Sequence, residues 1–426
     1  MKFRYSVDDR PPLLESVLIG LQFCAIVIPW IIILGTIAGA FHFENEGERT
    51  VYLQKLFFAA GLFTLVEILA GHRLPLVFGP STVILIGIIS SVGFDTSTIY
   101  TSALIGSVLL TVSAVTGIFG TLRRLFTPRV VSVVLLLVSF CMTPTVVRLV
   151  TDVKVGGPVG SNLSFALVMT LAMITLYRFL KGIGRSTLIV GSMFAATLLY
   201  FALFPGSFHG DAMLGAATVA PFFTNLTTTF SFDAGLTLSF IICYIALSIN
   251  DLGSIQSMNA LVLPPDMPER INRGVLFTGV GNIVTSFLGV AGQVNYSLSL
   301  GVVLSSGSLS RWTLVPASLI LLAVSFSPMT IALLGSVPPV IIGSALAYIL
   351  TTQVAGGLTV LIQSTKQLEF EDFLVLGLPL IIAVVIAFLP TPVVESFPAL
   401  IRPVVGNSFV MGVLAVVFME HVIFRA

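Results

Sequence analysis

The chain has 426 residues, of which 56% are hydrophobic and 9% charged, and its mean hydropathy is +1.07. No water-soluble domain has enough polar surface to cover such a chain, so the composition predicts an integral membrane protein with the lipid bilayer as its surroundings. A net charge of +1 and an isoelectric point of about 7.7 exclude the clustered basic surface that nucleic-acid binding requires.

Lys2, Arg4 and Arg10 precede the first apolar run, residues 13–39. That run is far longer than the apolar core of a signal peptide, which predicts a retained first helix. Further runs of spanning length lie near 51–71, 97–120, 130–150, 163–180 and 187–204, and then near 234–250, 272–290, 312–328, 331–353, 373–390 and 408–424. Between the two sets, residues 205–233 carry Phe208, Phe222, Phe223 and Phe230 among Thr and Gly, as an interfacial linker would. The stretch from Leu261 to Arg273, with Pro264, Pro265 and Pro268, reads as a polar cytoplasmic connection. Cys24, Cys141 and Cys243 all fall inside apolar runs and read as small buried hydrophobes rather than disulfides or metal ligands.

Two further stretches are apolar enough for the membrane yet interrupted where a spanning helix should be intact. One runs from His72 through Pro75, Gly79, Pro80, Ser81 and Thr82 to Gly93; the other runs from Gly292 through Gln293, Asn295, Ser297 and Ser299 to Gly307. Non-helical backbone at membrane depth must be buried in protein or line a wet cavity, because lipid cannot satisfy its N–H and C=O groups. Paired interruptions of this kind point to a transporter's substrate site, with two half-helices each preceded by a short extended strand. They bring the expected number of crossings to about fourteen. With the N-terminus inside, alternation then puts fifteen basic residues in the cytoplasm and five outside, as the positive-inside rule asks. Both termini are expected to be cytoplasmic, in a bacterial inner membrane. An echo supports two halves: Leu125 to Val133 with Pro128, and Gly335 to Gly343 with Pro338, each open a span, 210 residues apart. The sequence predicts an all-α polytopic protein with a first seven-span repeat in 1–204, a linker in 205–233 and a second seven-span repeat in 234–426. Seven being odd, the repeats are inverted relative to each other.

Ionisable groups within spans are rare and therefore informative. Asp251 follows Asn250 directly after an apolar run, and a carboxyl group at that depth is costly unless it pairs, protonates or faces water. It reads either as part of a substrate or ion pathway or as a solvated residue where the helix ends. Ser254 lies one helical turn from Asn250 on the same face. Glu67, close to His72 and Arg73, is the next candidate for a functional carboxyl group and reads otherwise as a snorkelled or paired structural carboxylate near the cytoplasmic end of its span. His72, His209 and His421 read as peripheral, and His42 as a loop residue. The interrupted segments offer Ser81 and Thr82 at one helix start and Asn295, Ser297 and Ser299 at the other. Helix N-termini suit an anionic or carbonyl-rich ligand, although hydroxyls there also serve as caps.

The chain resembles the nucleobase-cation symporter family that includes xanthine, uracil and ascorbate permeases. The matching residues are Arg270, Arg273, Gly274, Gly279, Gly281, Asn282, Phe287, Gly289, Tyr296, Ser297, Gly301 to Val303, Gly307, Ser310 and Arg311. Also similar are Leu74, Pro75, Gly79 and Ser81, the start Pro338 to Gly343, and the ending Gly406 to Gly412. The resemblance implies a fourteen-span inverted repeat with core and gate domains. It places the substrate between the third and tenth spans beside the eighth, carried by an elevator-like shift of the core. At family binding positions this chain has Asn250 where a Glu is usual, Leu298 and Ser299 where Glu or Gln then Asn are usual, Thr82 where an aromatic is usual, and Gln22 then Phe23 for a Gln-His pair. A site built without those groups reads a purine or pyrimidine edge differently. Asn250 can still pair with a carbonyl and N–H edge, and Asp251 would take the proton or ion role displaced by one residue.

The function expected is secondary active transport of a nucleobase or similar planar molecule, coupled to H+ or Na+. The alternatives are an anion transporter of the same fold and a non-transporting homologue. Intramembrane hydrolysis would need a nucleophile with its base, or a His and carboxylate metal cluster, and neither is visible. The expected partners are a small-molecule substrate, a co-transported H+ or Na+ and a second copy in a homodimer, with no cofactor and no metal.

Overall fold

The computed structural model describes residues 3–117, 127–151, 157–181, 188–205, 218–262, 266–296, 298–364, 369–398 and 401–424. Ser297, Leu125, Phe208, Pro264, Pro265 and the end of the run at 118–120 lie outside the described residues.

The first half runs α1 (Leu13–His42), α2 (Glu46–Leu69), β1 (Phe78–Pro80), α3 (Thr82–Ile89), α4 (Thr96–Thr116), α5 (Pro128–Cys141), α6 (Thr143–Val150), α7 (Val159–Phe179) and α8 (Leu188–Leu203). The second runs α9 (Ala234–Val262), α10 (Met267–Leu288), β2 (Gln293–Asn295), α11 (Ser299–Ser306), α12 (Leu314–Ser325), α13 (Pro328–Gly335), α14 (Pro339–Ser364), α15 (Phe370–Ala387) and α16 (Ser408–Phe418). Local chemistry sets the starts. Asn45 accepts from the Gly47 N–H, Asp95 from Thr98 and Thr127 from Val130. Each such bond satisfies an N–H that a helix end leaves without a partner. Pro128 and Pro339 open α5 and α14 at positions where a missing N–H costs nothing.

Three stretches differ in detail from the sequence reading. Residues 130–150 form two helices that meet at Met142, because Pro144 begins a new first turn, and together Pro128–Val150 make one stretch long and apolar enough to span, as expected. The run at 312–353 divides differently from expected: α12 bends by 99° into the short α13 at the Ser327–Pro328 break, and the long helix α14 starts only at Pro339. The helix expected to stop near residue 250 continues through its polar stretch to Val262.

Packing sorts the helices into two bundles. In the first, α4 packs on α9 and α10, α12 on α1 and α2, and β1 and β2 pair at the centre. Close approach is built in at Gly61 of α2, where a Cβ would sit 2.9 Å from the Ser318 carbonyl of α12. Small residues of this kind let membrane helices gain backbone-to-backbone van der Waals contact. In the second bundle α14 packs on α5, α6 and α7, and α15 on α5 and α16. Among the described residues, eight helices are long and apolar enough to cross a membrane, or nine if the bent α12–α13 pair is one span. Within the apolar windows 67% of α1 and 72% of α2 is buried, against 22% of α7 and of α15. Leu167, Val168, Leu171, Phe194 and Ile381 stand outward on the second bundle, as lipid-facing side chains do. The chain is an integral membrane protein.

Candidate functional site

The two interrupted segments meet. Phe78 pairs with Asn295, Gly79 with Val294 and Pro80 with Gln293 in an antiparallel ribbon. The Ser81 N–H donates to the Gly292 carbonyl at 2.8 Å and the Tyr296 N–H to the Val77 carbonyl at 2.9 Å. This satisfies backbone groups that lipid could not. Because the strands run in opposite directions, α3 and α11 leave from opposite ends of the ribbon. Asn282 of α10 pins β2: its Nδ2 donates to the Gln293 and Thr278 carbonyls, and its Oδ1 accepts from the Gln293 N–H. Side chains from α2 and α11 do the same for β1, as the Phe78 N–H donates to Thr64 Oγ1 and the Val77 N–H to Ser299 Oγ, both at 3.0 Å.

Beside the ribbon lies a closed polar cluster drawn from both halves of the chain. Asp251 of α9 accepts at Oδ1 from the Asn295 N–H at 3.1 Å and from Asn295 Nδ2 at 2.8 Å, and at Oδ2 from Thr278 Oγ1 at 2.9 Å. Glu67 of α2 faces the same hydroxyl at 3.3 Å through Oε1, while its Oε2 accepts from the His72 N–H at 3.2 Å. His72 Nε2 meets Asn295 Oδ1 at 3.0 Å, and its Nδ1 accepts from the Leu74 N–H at 2.9 Å. All five side chains are within 1% of complete burial. The turn that carries His72 inward is tight. Arg73 adopts a left-handed φ of 55°, and a Cβ on Gly71 would lie 2.0 Å from Glu67 Oε2, so the folded-back carboxyl requires glycine there. The cations near the cluster stop at its edge. Arg270 donates to the His72 and Arg73 carbonyls, and Arg311 to the Ile68 carbonyl. The two carboxylates reach one hydroxyl, so oxygens of Glu67 and Asp251 lie within about 6 Å of each other; two negative charges at that separation, with an effective dielectric of about 20, repel by roughly 3 kcal/mol.

The expected site residues divide accordingly. Asp251 and Asn295 are bonded to each other, and Asp251 sits mid-helix, so its reading as a solvated residue at a helix end is overturned. Ser81 is fully buried, its Oγ has no partner, and it makes no capping bond, which removes the capping reading. Ser299 is committed to Val77. Thr82 is half-buried at the start of α3, and Leu298 is 40% exposed just before α11. Asn250 is half-buried and makes no side-chain hydrogen bond among the described residues, while its carbonyl accepts from Ser254 Oγ at 3.1 Å. One turn along the same face Gly253 is exposed, with open space where a Cβ would point. Ser297 lies outside the described residues.

The Permease family profile for xanthine and uracil permeases matches residues 14–391. The chain belongs to this family. A nucleobase transporter of Paenibacillus larvae is 23% identical to the permease over 94% of this chain and 93% of its own length. A xanthine permease of Bacillus subtilis is likewise 23% identical, over 93% of this chain and 90% of its own. The solved transmembrane domain of the cyanobacterial bicarbonate transporter BicA shares the fold, with a TM-score of 0.62 at 11% identity, covering 90% of the permease and 98% of that domain. Membership places the permease among integral membrane transporters of small molecules and not among enzymes.

The sequence reading misplaced two members of the polar cluster and missed a third. Glu67 was expected near the cytoplasmic surface and His72 at the periphery, yet both are fully buried in the permease. Thr278 carried no signal that set it apart from other helical hydroxyls. The available clue was the spacing itself: Glu67 and His72 flank the Gly71 break that begins the first interrupted segment. His42 is likewise no loop residue, since it ends α1 and bonds the Tyr100 hydroxyl at 2.9 Å.

Proposed function

We propose that the permease is a secondary active transporter that moves a nucleobase such as xanthine or uracil together with H+. The observation that carries this reading is the antiparallel crossing of the two interrupted segments at the centre of the first bundle, beside a buried acidic group on α9. Such crossings place half-helix ends and uncommitted polar groups where a planar, carbonyl-bearing ligand can exchange hydrogen bonds. Relatives named as a nucleobase transporter and a xanthine permease support the substrate class. On this reading Ser81, Thr82 and Asn250 contact the substrate, because their side-chain groups are uncommitted among the described residues. Ser254 and Leu298 border the site, and Ser297, proposed from the sequence as a further contact, lies outside the described residues. Asn295 and Ser299 hold its walls, since their polar groups already bind Asp251, His72 and Val77.

The two bundles then act as core and gate of a fourteen-span protein built from inverted repeats in 1–204 and 234–426, joined by the linker 205–233. The core moves in an elevator manner against the gate. Both termini lie in the cytoplasm of a bacterial cell, and the permease works in the inner membrane as a homodimer. Asp251 carries the coupling role. The test is uptake of labelled xanthine, uracil and uric acid into proteoliposomes with and without a pH or Na+ gradient. Asp251→Asn is expected to abolish accumulation driven by the gradient while xanthine still exchanges across the membrane. Full accumulation by that variant would remove Asp251 from the mechanism, and absence of uptake of all three compounds by the wild type would remove the transport reading.

A further inference from the structure

We infer that the coupling proton of the permease resides on Glu67, and that the Thr278 hydroxyl relays it to Asp251. The inference rests on the reading of the chain as a coupled transporter and deepens it by naming the group that holds the proton.

Counting donors along the cluster fixes where each hydrogen sits. The Leu74 N–H donates to His72 Nδ1, so that nitrogen is unprotonated and the ring hydrogen is on Nε2. Nε2 therefore donates to Asn295 Oδ1, which orients the amide so that Nδ2 donates to Asp251 Oδ1. The second hydrogen of Nδ2 reaches toward Thr278 Oγ1 at 3.4 Å, and the amide also faces Glu67. Thr278 has one hydroxyl hydrogen and two carboxyl oxygens within reach, Asp251 Oδ2 at 2.9 Å and Glu67 Oε1 at 3.3 Å. The shorter contact assigns the hydrogen to Asp251. Thr278 Oγ1 then faces Glu67 Oε1 with a lone pair, and two acceptors in a dry interior bond only if one of them carries a hydrogen. That hydrogen is on Glu67.

The charges around Glu67 agree. From α9 it faces Asp251, which accepts three hydrogen bonds from neutral donors as a carboxylate does. From the turn after α2 it faces His72, whose Nε2 lies 3.6 Å from Glu67 Oε2 and gives its hydrogen to Asn295 instead. From α10 and from the segment before α12, Arg270 and Arg311 bind backbone carbonyls and touch neither carboxyl group. One carboxylate in this interior is balanced by donors. A second would face it across a single hydroxyl with no cation in contact among the described residues.

The relay conserves atoms and charge. Glu67 Oε1 gives its proton to Thr278 Oγ1 while Thr278 gives its own to Asp251 Oδ2, leaving Glu67 ionised, Asp251 neutral and the hydroxyl intact. The negative charge thereby passes from α9 to α2. Since α9 carries Asp251 toward the cluster and Asn250 and Gly253 toward the open face, the shift alters the bonds of the same helical turn that borders the substrate.

Infrared spectroscopy of the full-length protein in lipid at neutral pH reads the proton directly. A protonated-carboxyl band that disappears in Glu67→Gln is expected, and a band unchanged in that variant overturns the assignment. Thr278→Val keeps the side chain's shape and removes the acceptor, so the band should move to higher frequency; an unmoved band overturns the relay. In proteoliposomes under an inward proton gradient, labelled xanthine uptake by Glu67→Gln should stop at equal concentrations inside and out, and accumulation matching the wild type would refute the coupling role. Failure of the wild type to carry xanthine, uracil or uric acid would sink the transport reading alone, because the infrared band still decides whether Glu67 holds a proton.

Discussion

Each bundle of the permease buries a pair of carboxyl groups, and the two pairs keep different company. In the second bundle Asp372 and Glu420 flank Arg129, with Arg129 Nε 2.6 Å from Asp372 and Nη1 3.6 Å from Glu420, and Thr127 donating to Glu420 at 2.6 Å. In the first, Glu67 and Asp251 share one threonine hydroxyl, an asparagine amide and a neutral histidine, with no Lys or Arg in contact among the described residues. A cation between two acids locks helices together, since removing it strands charge in a medium that cannot solvate it. Acids supplied only with neutral donors can trade a proton without unfolding their surroundings. The contrast fits the proposed proton exchange in the first bundle and a fixed ion pair in the second.

The sharpest way to break this contrast is Arg129→Ala, which leaves Asp372 and Glu420 buried beside each other. A loss of about 3 to 5 kcal/mol is expected, read as a fall in thermal unfolding temperature in detergent, and a variant as stable as wild type would show that the pair in the second bundle is not a lock. The next effect is at the turn that folds Glu67 back. Gly71→Ala places a methyl group 2.0 Å from Glu67 Oε2, and a cost of about 1 to 3 kcal/mol with loss of gradient-driven xanthine accumulation should follow. Normal accumulation would mean that the carboxyl group can move aside without consequence. The smallest effect is at Asn250. Removing a side chain that makes no hydrogen bond among the described residues should leave stability within about 0.5 kcal/mol while raising the KM for xanthine by roughly 2- to 10-fold, the worth of one neutral hydrogen bond. An unchanged KM would move the substrate away from that face of α9.

Much of this architecture was legible in the residues, for reasons that differ from element to element. Membrane residence follows from composition, and the interrupted segments from Gly79, Pro80 and Asn295 inside apolar runs, because broken backbone needs burial in protein. Asp251 stood out as a carboxyl group adjoining an apolar run. What hydropathy could not show was tertiary. The polar residues after Asn250 read as the end of a span, yet Asp251 and Ser254 are buried on a helix that continues to Val262. The Ser327–Pro328 bend vanished in a continuous apolar run, since lipid-like composition does not record a 99° turn. Glu67 and His72 looked peripheral beside Arg73 because position along the chain was taken for depth. The chain turns back at Gly71, and Arg270 reaches over the turn to hold its carbonyls.

Counting protons against substrate tests the account most directly. In proteoliposomes containing a pH-sensitive dye, each labelled xanthine carried by the wild type should bring one proton with it, if, as inferred above, the two carboxyl groups that meet at the Thr278 hydroxyl hold a single proton between them. Xanthine entry with no accompanying proton, or entry that follows a Na+ gradient instead, would contradict it.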